Sequence, residues 1–363
     1  MRVGVLGGGQ LGRMLALAGH PLGFTFRFFD PDPSAPAGQV GELIAGAYDD
    51  DAALARFATG LDLVTYEFES VPRAAADFVA SRVQVWPPVA ALAATQDRLA
   101  ERELFESVQV PVAPYMNISS VLALAEAVAH VGFPALLKTR THGYDGKGQV
   151  AVGAIEEATA AWQSVGERPC ILERRVEFRR ELSVIAVRGH DGSIAVYPLV
   201  ENLHSEGILR ASFAPAVVDP GVQEEASEFA RRVADQLGYV GVFAIELFDT
   251  DAGLIANEMA PRVHNSGHWT IEGAVTSQFE NHLRAIAALP LGSTASRGFA
   301  GMLNLIGTVP PMGRLLDVEG AHVHLYGKSP RAGRKLGHVT VCESSSDGVR
   351  DRIAKLRQIL ASS

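Results

Sequence analysis

The feature that most restricts the fold is a pair of apolar segments, each carrying one glutamate, on either side of a turn. The segments cover 242–248 and 254–259, and residues 249–253 between them have turn chemistry. Their period-two spacing predicts the antiparallel strands of a β-hairpin. Glu246 and Glu258 are almost equally far from the centre of the turn, so we expect them opposite each other on one face.

These two facing acids predict a cation site. Side chains on facing strand positions lie about 5 Å apart, and two carboxylates at that separation repel by roughly 3 kcal/mol at an effective dielectric of about 20. Mg²⁺ offsets the repulsion and takes its other ligands from phosphate oxygens and water. A solvated hairpin with two surface acids is the alternative, but the small or apolar neighbours Val242, Ala244 and Ala256 favour a half-buried face.

A glycine turn near the N-terminus predicts an α/β domain. An apolar strand at 1–6 leads into Gly7, Gly9 and Gly12, which match the G-x-G-x-x-G pattern, and a second strand ends at Asp30. Taken alone, this pattern indicates a nicotinamide-dependent oxidoreductase. Many doubly wound domains that bind no dinucleotide need the same glycines, so the pattern is also compatible with other functions.

Two further acids follow a later strand of this first domain. The strand at 61–65 is followed by Glu67 and Glu69, which places both at the carboxyl end of a probable parallel strand. Ligands bind at that edge in such sheets. Helix-start charges or simple solvation explain the pair equally well.

A second glycine-rich segment predicts phosphate binding. The strand at 133–138 ends at Lys138 and leads into 139–149, where three glycines are interleaved with Lys147. Backbone N–H groups in such a loop can approach phosphates closely. The segment lacks P-loop spacing, and a surface turn with incidental basic residues is the alternative.

The middle of the chain predicts an antiparallel sheet and hence an α+β domain. Strands are expected at 170–176, 181–187 and 194–199, with a turn at Asp191 and Gly192. We expect one sheet to carry the charged side chains that stand at strand ends or faces, which are Lys138, Glu173, Glu181, Glu246 and Glu258.

The last part of the chain combines strands, a helix and a cluster of cations. Strands are predicted at 302–306, 322–326 and 338–341, and a helix at 346–360. Four cations lie within the eight positions 328–335. On sequence alone such a cluster is more often a solvated turn than a binding site.

Composition excludes several function classes. The 363 residues suggest two or three domains, and the formal net charge of −9 argues against general binding of nucleic acid or anionic membranes. The two cysteines have no metal-ligand spacing, and no apolar run reaches the length of a membrane span. We therefore expect a cytoplasmic protein that acts on small molecules.

The order of these features resembles the ATP-grasp superfamily, and within it the N5-carboxyaminoimidazole ribonucleotide synthetase family. The resemblance rests on the motifs at 8–14, 66–69, 143–149, 257–270 and 333–338. It implies an ATP-grasp fold with a Rossmann-like domain at 1–95, an ATP-grasp domain at 96–295 and a small β-rich domain at 296–363. It also implies a homodimer.

The resemblance further implies a reaction and its ATP site. ATP, bicarbonate and 5-aminoimidazole ribonucleotide would give N5-carboxyaminoimidazole ribonucleotide by way of carboxyphosphate, with Mg²⁺ on Glu246 and Glu258 and without biotin. The implied ATP-binding residues are Arg98, Lys138, Gly143, Tyr144, Asp145, Gly146, Lys147, Gly148, Gln149, Glu173, Arg174, Arg175, Val176, Glu181, His204, Asn257 and Glu258.

The remaining implied residues would bind the substrate or act in catalysis. Those implied to bind substrate are Gln10, Leu11, Glu67, Asn265, Ser266, Lys328, Arg334 and Lys335. Those implied to be catalytic are Tyr144, Asp145, Lys147, Arg262 and His264. Arg262 and Lys147 can stabilise the charge of carboxyphosphate, and either Asp145 or His264 could transfer a proton.

Three alternatives to this carboxylase remain open at the level of the sequence. The N-terminal glycine turn and Asp30 still permit an NAD(P)-dependent oxidoreductase. A catalytically silent nucleotide-binding regulator would have the same folds, although the intact acid pair and Lys138 argue against it. Another ATP-grasp ligase, one that uses formate or glycine, is the third.

Overall fold

The N-terminal part of the chain forms a parallel sheet flanked by helices. The computed structural model describes residues 1–141, 143 and 148–362. The elements of this part, in chain order, are β1 (Arg2–Leu6), α1 (Gln10–Gly19), β2 (Thr25–Asp30), β3 (Glu42–Ala45), α2 (Asp51–Ala58), β4 (Leu63–Tyr66), α3 (Arg73–Ala80) and α4 (Val89–Thr95). The strand order is β3-β2-β1-β4, and each pair is parallel. The predicted α/β domain is therefore confirmed.

A small antiparallel sheet follows. Its elements are α5 (Arg98–Ser107), β5 (Tyr115–Ile118), α6 (Val121–Val131), β6 (Ala135–Thr139), β7 (Gln149–Val152), α7 (Ala158–Ser164) and β8 (Cys170–Arg174). The strand order is β5-β8-β6-β7. Strands β6 and β7 pair with each other, so the second glycine-rich segment connects the two strands of a hairpin.

The remaining strands form one large antiparallel sheet. Its elements are β9 (Arg180–Arg188), β10 (Ile194–Val196), β11 (Val200–Ser205), β12 (Ile208–Ala214), α8 (Pro220–Gln236), β13 (Gly241–Thr250), β14 (Gly253–Ala260), α9 (Thr270–Gly273), α10 (Gln278–Ile286), β15 (Phe299–Ile306), α11 (Met312–Leu316), β16 (Ala321–Leu325), β17 (Lys335–Glu343) and α12 (Ser346–Ala361). The order is β14-β13-β9-β11-β12-β15-β17-β16, and β10 pairs with β9.

One expectation about the sheets was wrong. Lys138 and Glu173 lie on the small sheet, whereas Glu181, Glu246 and Glu258 lie on the large one. Strand β15 pairs with β12, so the C-terminal strands continue the large sheet. Strand periodicity predicts each strand but carries no information about which distant strand pairs with it.

The hairpin that carries the two acids is confirmed, with a shorter turn than expected. Thr250 pairs with Gly253, so the turn contains only two residues. Glu246 does face Glu258, but only because the register shifts by one residue between Glu246 and Leu247. That β-bulge leaves Asn257 as the extra residue of β14.

Helix α5 lies between the two antiparallel sheets. Its first N–H groups are capped by Asp97, whose carboxylate accepts a hydrogen bond from the Leu99 N–H at 2.9 Å. The helix buries Glu101, Arg102 and Phe105. Two charged side chains of one helical turn therefore point into the protein interior. Among the described residues, the helices include none that is both long and apolar enough to cross a membrane.

We expect Leu305→Ala to reduce the free energy of unfolding by about 2–4 kcal/mol, because it opens a cavity beside β17. Leu305 lies on β15 and is fully buried in a cluster with Val339 and Leu356. Urea denaturation measures the loss. The matched control is Leu325→Ala, since Leu325 is 38% exposed at the sheet edge. Equal losses in the two variants would contradict the packing described here.

Candidate active site

The N-terminal glycine turn is closed by a carboxylate of the protein itself. Glu67, only 7% exposed, accepts hydrogen bonds from the N–H groups of Gly9 (2.6 Å), Leu11 (3.0 Å) and Gly12 (3.0 Å). A Cβ atom at Gly7 or Gly9 would lie 2.4 Å from the Glu67 side chain. The glycines are therefore required by the approach of Glu67.

This arrangement argues against a dinucleotide site. The N–H groups at the start of α1 that would hold a pyrophosphate are already bonded to Glu67. Asp30, the expected ribose ligand, accepts a hydrogen bond from the Gly8 N–H at 2.8 Å. The oxidoreductase interpretation is not favoured.

The acid pair lies on one face of the large sheet, next to two histidines. Glu246 is 16% exposed and Glu258 45% exposed. Burial and the neighbouring Glu258 carboxylate raise the pKa of Glu246 to about 8. His264 Nε2 lies 3.4 Å from Glu246 Oε1, and His204 forms an ion pair with Glu181.

The pKa values of the two histidines are shifted in opposite directions. Burial opposes protonation of His204, but the hydrogen bond to Glu181 and the charge of Glu246 outweigh it and raise its pKa. Burial and the positive charges of Arg262 and Lys335 hold the pKa of His264 well below its ordinary value. The site therefore combines one imidazole that binds its proton more tightly than usual with one that binds it more weakly.

Lys138 lies in a buried ion-pair cluster. Its Nζ atom is 2.5 Å from Glu173 Oε2, and Arg102 Nε donates to Glu173 Oε1 at 2.5 Å. Burial raises the pKa of Glu173, yet the two cations outweigh it and lower that pKa to about 2. Burial, with the like charges of Arg102 and Arg98, lowers the pKa of Lys138.

Arg262 has a free donor beside the acid pair. Its guanidinium forms an ion pair with Glu69 and donates to the Val263 carbonyl oxygen at 2.8 Å. Its Nε atom is buried and has no hydrogen-bond partner among the described residues. Arg262 therefore presents one buried N–H group for which the described chain provides no acceptor.

Two of the predicted substrate residues after Arg262 have side chains that are already bonded within the protein. Asn265 and Asn304 exchange amide hydrogen bonds, of 3.1 and 2.7 Å. Ser266 is fully buried, and its hydroxyl lies 2.8 Å from His264 Nδ1. Both residues position the His264 segment, and a direct contact with substrate stays a prediction.

Cations of the C-terminal segment lie near the glycine turn and near the acid pair. Lys328 donates a hydrogen bond to Gln10, and the charge of Arg334 reaches Asp32. Lys335 lies close enough to His264 and Glu246 to affect the pKa of both. The basic segment therefore lies near both the glycine turn and the acid pair, and its role in binding the substrate stays a prediction.

Other predicted residues fall in different places. Leu11 has its side chain in the hydrophobic core, and its contact with substrate stays a prediction. Arg174 and Arg175 are exposed, and Val176 is half-buried. The carbonyl oxygen of Gly143 is 3.5 Å from Arg98 Nη2, that of Gly148 accepts from the Thr139 N–H, and Gln149 begins β7. The predictions for Tyr144, Asp145, Gly146 and Lys147 lie outside the described residues.

Sequence reasoning missed four buried polar residues that support the site, namely Glu101, Arg102, Gln278 and Asn304. Gln278 holds the His264 backbone, with its Nε2 atom 2.6 Å from the His264 carbonyl oxygen. Asn304 lies in an apolar strand segment and belongs to no recognisable sequence motif, so nothing in the sequence pointed to it. Glu101 and Arg102 did carry a signal, because they share one helix face with the apolar Phe105.

Family models match three consecutive parts of the chain. A ribonucleotide synthetase preATP-grasp domain matches residues 1–96, an ATP-grasp domain residues 103–279, and a phosphoribosylaminoimidazole carboxylase C-terminal domain residues 300–352. An N5-carboxyaminoimidazole ribonucleotide synthase of Pseudomonas aeruginosa is 48% identical over 360 residues, covering 99% of both chains. The chain belongs to the N5-carboxyaminoimidazole ribonucleotide synthase family.

Solved structures agree with this assignment. The crystal structure of N5-carboxyaminoimidazole ribonucleotide synthetase from Thermus thermophilus has a TM-score of 0.95 at 53% identity and covers 98% of each chain. The Aspergillus clavatus N5-carboxyaminoimidazole synthase, in complex with ADP and 5-aminoimidazole ribonucleotide, has a TM-score of 0.93 at 32% identity, over 100% of this chain and 99% of that one. The predicted ATP-grasp fold is confirmed, and so is the assignment as a ligase of the N5-carboxyaminoimidazole ribonucleotide synthase family. The domain boundaries at 95 and 295 stay predictions.

We expect Glu246→Gln to stabilise the protein in the absence of ATP and metal, by on the order of 1–3 kcal/mol at pH 8. The pKa of Glu246 is raised from 4.5 to about 8 on folding. Between pH 4.5 and about 8 the folded protein therefore retains a proton that the unfolded chain releases. The free energy of unfolding falls as pH rises through this range. Glutamine does not titrate and removes that loss.

Urea denaturation at pH 5 and pH 8, with chelator present, measures this effect. The advantage of the variant should grow with pH. Glu156→Gln is the matched control, since Glu156 is exposed. If the stability of Glu246→Gln depended on pH just as the parent's does, the pKa of Glu246 would not be raised on folding.

Proposed function

We propose that the chain uses ATP and bicarbonate to carboxylate 5-aminoimidazole ribonucleotide, giving N5-carboxyaminoimidazole ribonucleotide, ADP and phosphate in purine biosynthesis. One observation carries the proposal. The fold gathers a facing acid pair, a buried Arg262 donor and Lys335 of the C-terminal segment around His264. This arrangement suits a substrate with several negative charges.

The ATP half of the site is proposed from the small sheet and the facing part of the large sheet. Lys138, held by Glu173, is the candidate for the α- and β-phosphates, and its lowered pKa follows mainly from burial. The ion pair of Glu181 with His204 is the candidate contact for the ribose. The glycine-rich connection between β6 and β7 is the candidate cover for the phosphates.

Glu246 and Glu258 fit a Mg²⁺ ion bound together with ATP. Their facing positions and the raised pKa of Glu246 show that uncompensated charge is unfavourable there. No group of three or more His, Cys, Asp or Glu residues within 1–141, 143 and 148–362 could hold a metal alone. A bound Mg²⁺ would take its other ligands from phosphate oxygens and water and would neutralise charge on the transferred phosphoryl group.

The carboxylation half is proposed around Arg262 and His264. Bicarbonate is a poor electrophile, so the terminal phosphoryl group of ATP would first convert it to carboxyphosphate. The free Arg262 N–H and the charge of Lys335 can stabilise that anion. The substrate amine must lose a proton as the new C–N bond forms, and Asp145 and His264 are the two candidates to accept it.

The ribonucleotide phosphate is proposed to bind the basic segment. Lys328, Arg334 and Lys335 would supply cations, and Gln10 would approach the ribonucleotide from the glycine turn that Glu67 supports. A homodimer and a cytoplasmic location are also proposed. The homodimer rests on the family resemblance alone, whereas the cytoplasmic location rests on the content of only two cysteines.

Phosphate release from ATP tests the reaction. We expect it to require Mg²⁺ and bicarbonate and to rise strongly when 5-aminoimidazole ribonucleotide is added. Glu258→Gln should lower turnover by about 100-fold or more, because the proposed cation loses a charged ligand, and should leave the fold intact. Glu156→Gln is the control, and a near-normal rate in Glu258→Gln would contradict the metal assignment.

A second prediction concerns the ribonucleotide. Lys328→Met should raise the KM for 5-aminoimidazole ribonucleotide about tenfold or more through loss of one charge-assisted phosphate contact, while the KM for ATP stays within about twofold. Steady-state kinetics with each substrate varied in turn separates the two effects. If the KM for ATP rose equally, Lys328 would not belong to the ribonucleotide half. Lys355→Met on α12 is the matched control.

A further inference from the structure

Two adjacent residues of α5 connect the strand of the acid pair to the strand of Lys138. Glu101 is 3% exposed and Arg102 is 1% exposed. The family resemblance assigns neither of them a role. The Glu101 side chain bonds to β14 on one side of the helix, the Arg102 side chain bonds to β8 on the other, and the two side chains bond to each other.

On one side, α5 contacts β14, the strand that carries Glu258. Glu101 Oε1 accepts a hydrogen bond from the Met259 N–H at 2.7 Å. Arg98, one turn earlier, brings Nη1 to 3.6 Å from Glu258 Oε2. Since Met259 directly follows Glu258, these contacts fix β14 just beyond the bulge, where the Glu258 side chain leaves the strand.

On the other side, α5 is connected to Lys138 of β6 through Glu173 of β8. Arg102 Nε donates to Glu173 Oε1 at 2.5 Å, and the other carboxylate oxygen of Glu173 lies 2.5 Å from Lys138 Nζ. Arg102 Nη1 also donates to Glu101 Oε2 at 3.0 Å, which joins the two sides. A continuous buried series of contacts thus runs from Met259 to Lys138.

We propose that Glu101 and Arg102 are positioning residues that hold Lys138 and the acid pair at one fixed separation, so that both reach the same nucleotide. The inference rests on the proposed function, in which Lys138 binds phosphate and Glu258 binds Mg²⁺. Neither residue touches the nucleotide itself.

The energetics favour positioning over stability as the reason for these charges. A buried ion pair seldom stabilises a fold more than apolar residues of equal size would, because desolvation offsets the attraction. Such a pair does impose direction and distance through its hydrogen bonds. A rigid connection suits a site whose two halves lie on separate sheets, since small misplacements cost large factors in rate.

The test compares the affinity for ADP with Mg²⁺ in four variants, one of which is Arg102→Lys. Arg102→Met keeps most of the apolar stem but removes the guanidinium, which leaves Glu173 to pair with Lys138 alone, and Glu101→Gln keeps an acceptor for the Met259 N–H without the charge. Arg27→Met is the matched control, because Arg27 is 7% exposed and pairs with Glu42 in the N-terminal sheet. Isothermal titration calorimetry measures the Kd, and urea denaturation measures the stability of each variant.

We expect Arg102→Met to raise the Kd for ADP with Mg²⁺ about tenfold and to raise the Mg²⁺ concentration needed for half-maximal binding. Arg102→Lys should recover part of the loss, since it keeps the charge but not the planar fork. Arg27→Met should lose stability and keep its affinity.

An Arg102→Met variant that lost stability as Arg27→Met does but bound ADP and Mg²⁺ like the parent would overturn the proposal. Should Arg102→Met not fold, Glu101→Gln decides by the same titration, with a shift in the Mg²⁺ requirement expected and an unchanged requirement contradicting the proposal. These readouts need neither bicarbonate nor ribonucleotide. Failure of the carboxylation reaction in the parent protein is therefore distinguishable from failure of the positioning proposal.

Discussion

The repulsion between the Glu246 and Glu258 carboxylates is the constraint on which the rest of the site depends. The bulge at Asn257 creates it, because in the register set by the two-residue turn Glu246 would face Asn257, and Glu258 would point to the other side of the sheet. A one-residue irregularity therefore brings both acids together. Positive charge must then reach the pair from elsewhere, and it comes from Arg98 of helix α5, His204 of strand β11 and Lys335 at the start of β17.

The neighbouring charges are arranged in a similar way, with each buried group held by a partner from a distant part of the chain. Glu67 closes the glycine turn, Glu173 holds Lys138, and Glu69 holds Arg262. A buried charge without a partner would be costly. The partners therefore hold Lys138 and Arg262 in fixed positions within the protein.

The sequence predicted the local features well and the long-range ones poorly. The alternating pattern around 246 and 258 was sufficient for the hairpin and its facing acids, because turn and strand signals lie within a few residues. The bulge was not predictable, since it depends on how β14 packs against α5. The glycine turn suggested a dinucleotide because this glycine spacing lets an anion approach the backbone N–H groups. In this chain the anion is the Glu67 carboxylate. The ion pair of Arg102 with Glu173 and the amide pair of Asn265 with Asn304 were not predictable either, because they join residues far apart in sequence.

The pairing of β12 with β15 has a consequence for how the protein is made. During synthesis β12 leaves the ribosome before the strand that covers its edge, and that edge has unpaired backbone groups until β15 and β17 arrive. The strand that brings Lys335 to the acid pair is therefore among the last to join the sheet. A nascent chain has Lys138 and the acid pair before it has Lys328, Arg334 and Lys335, so these residues come together only when β12 has its neighbouring strand.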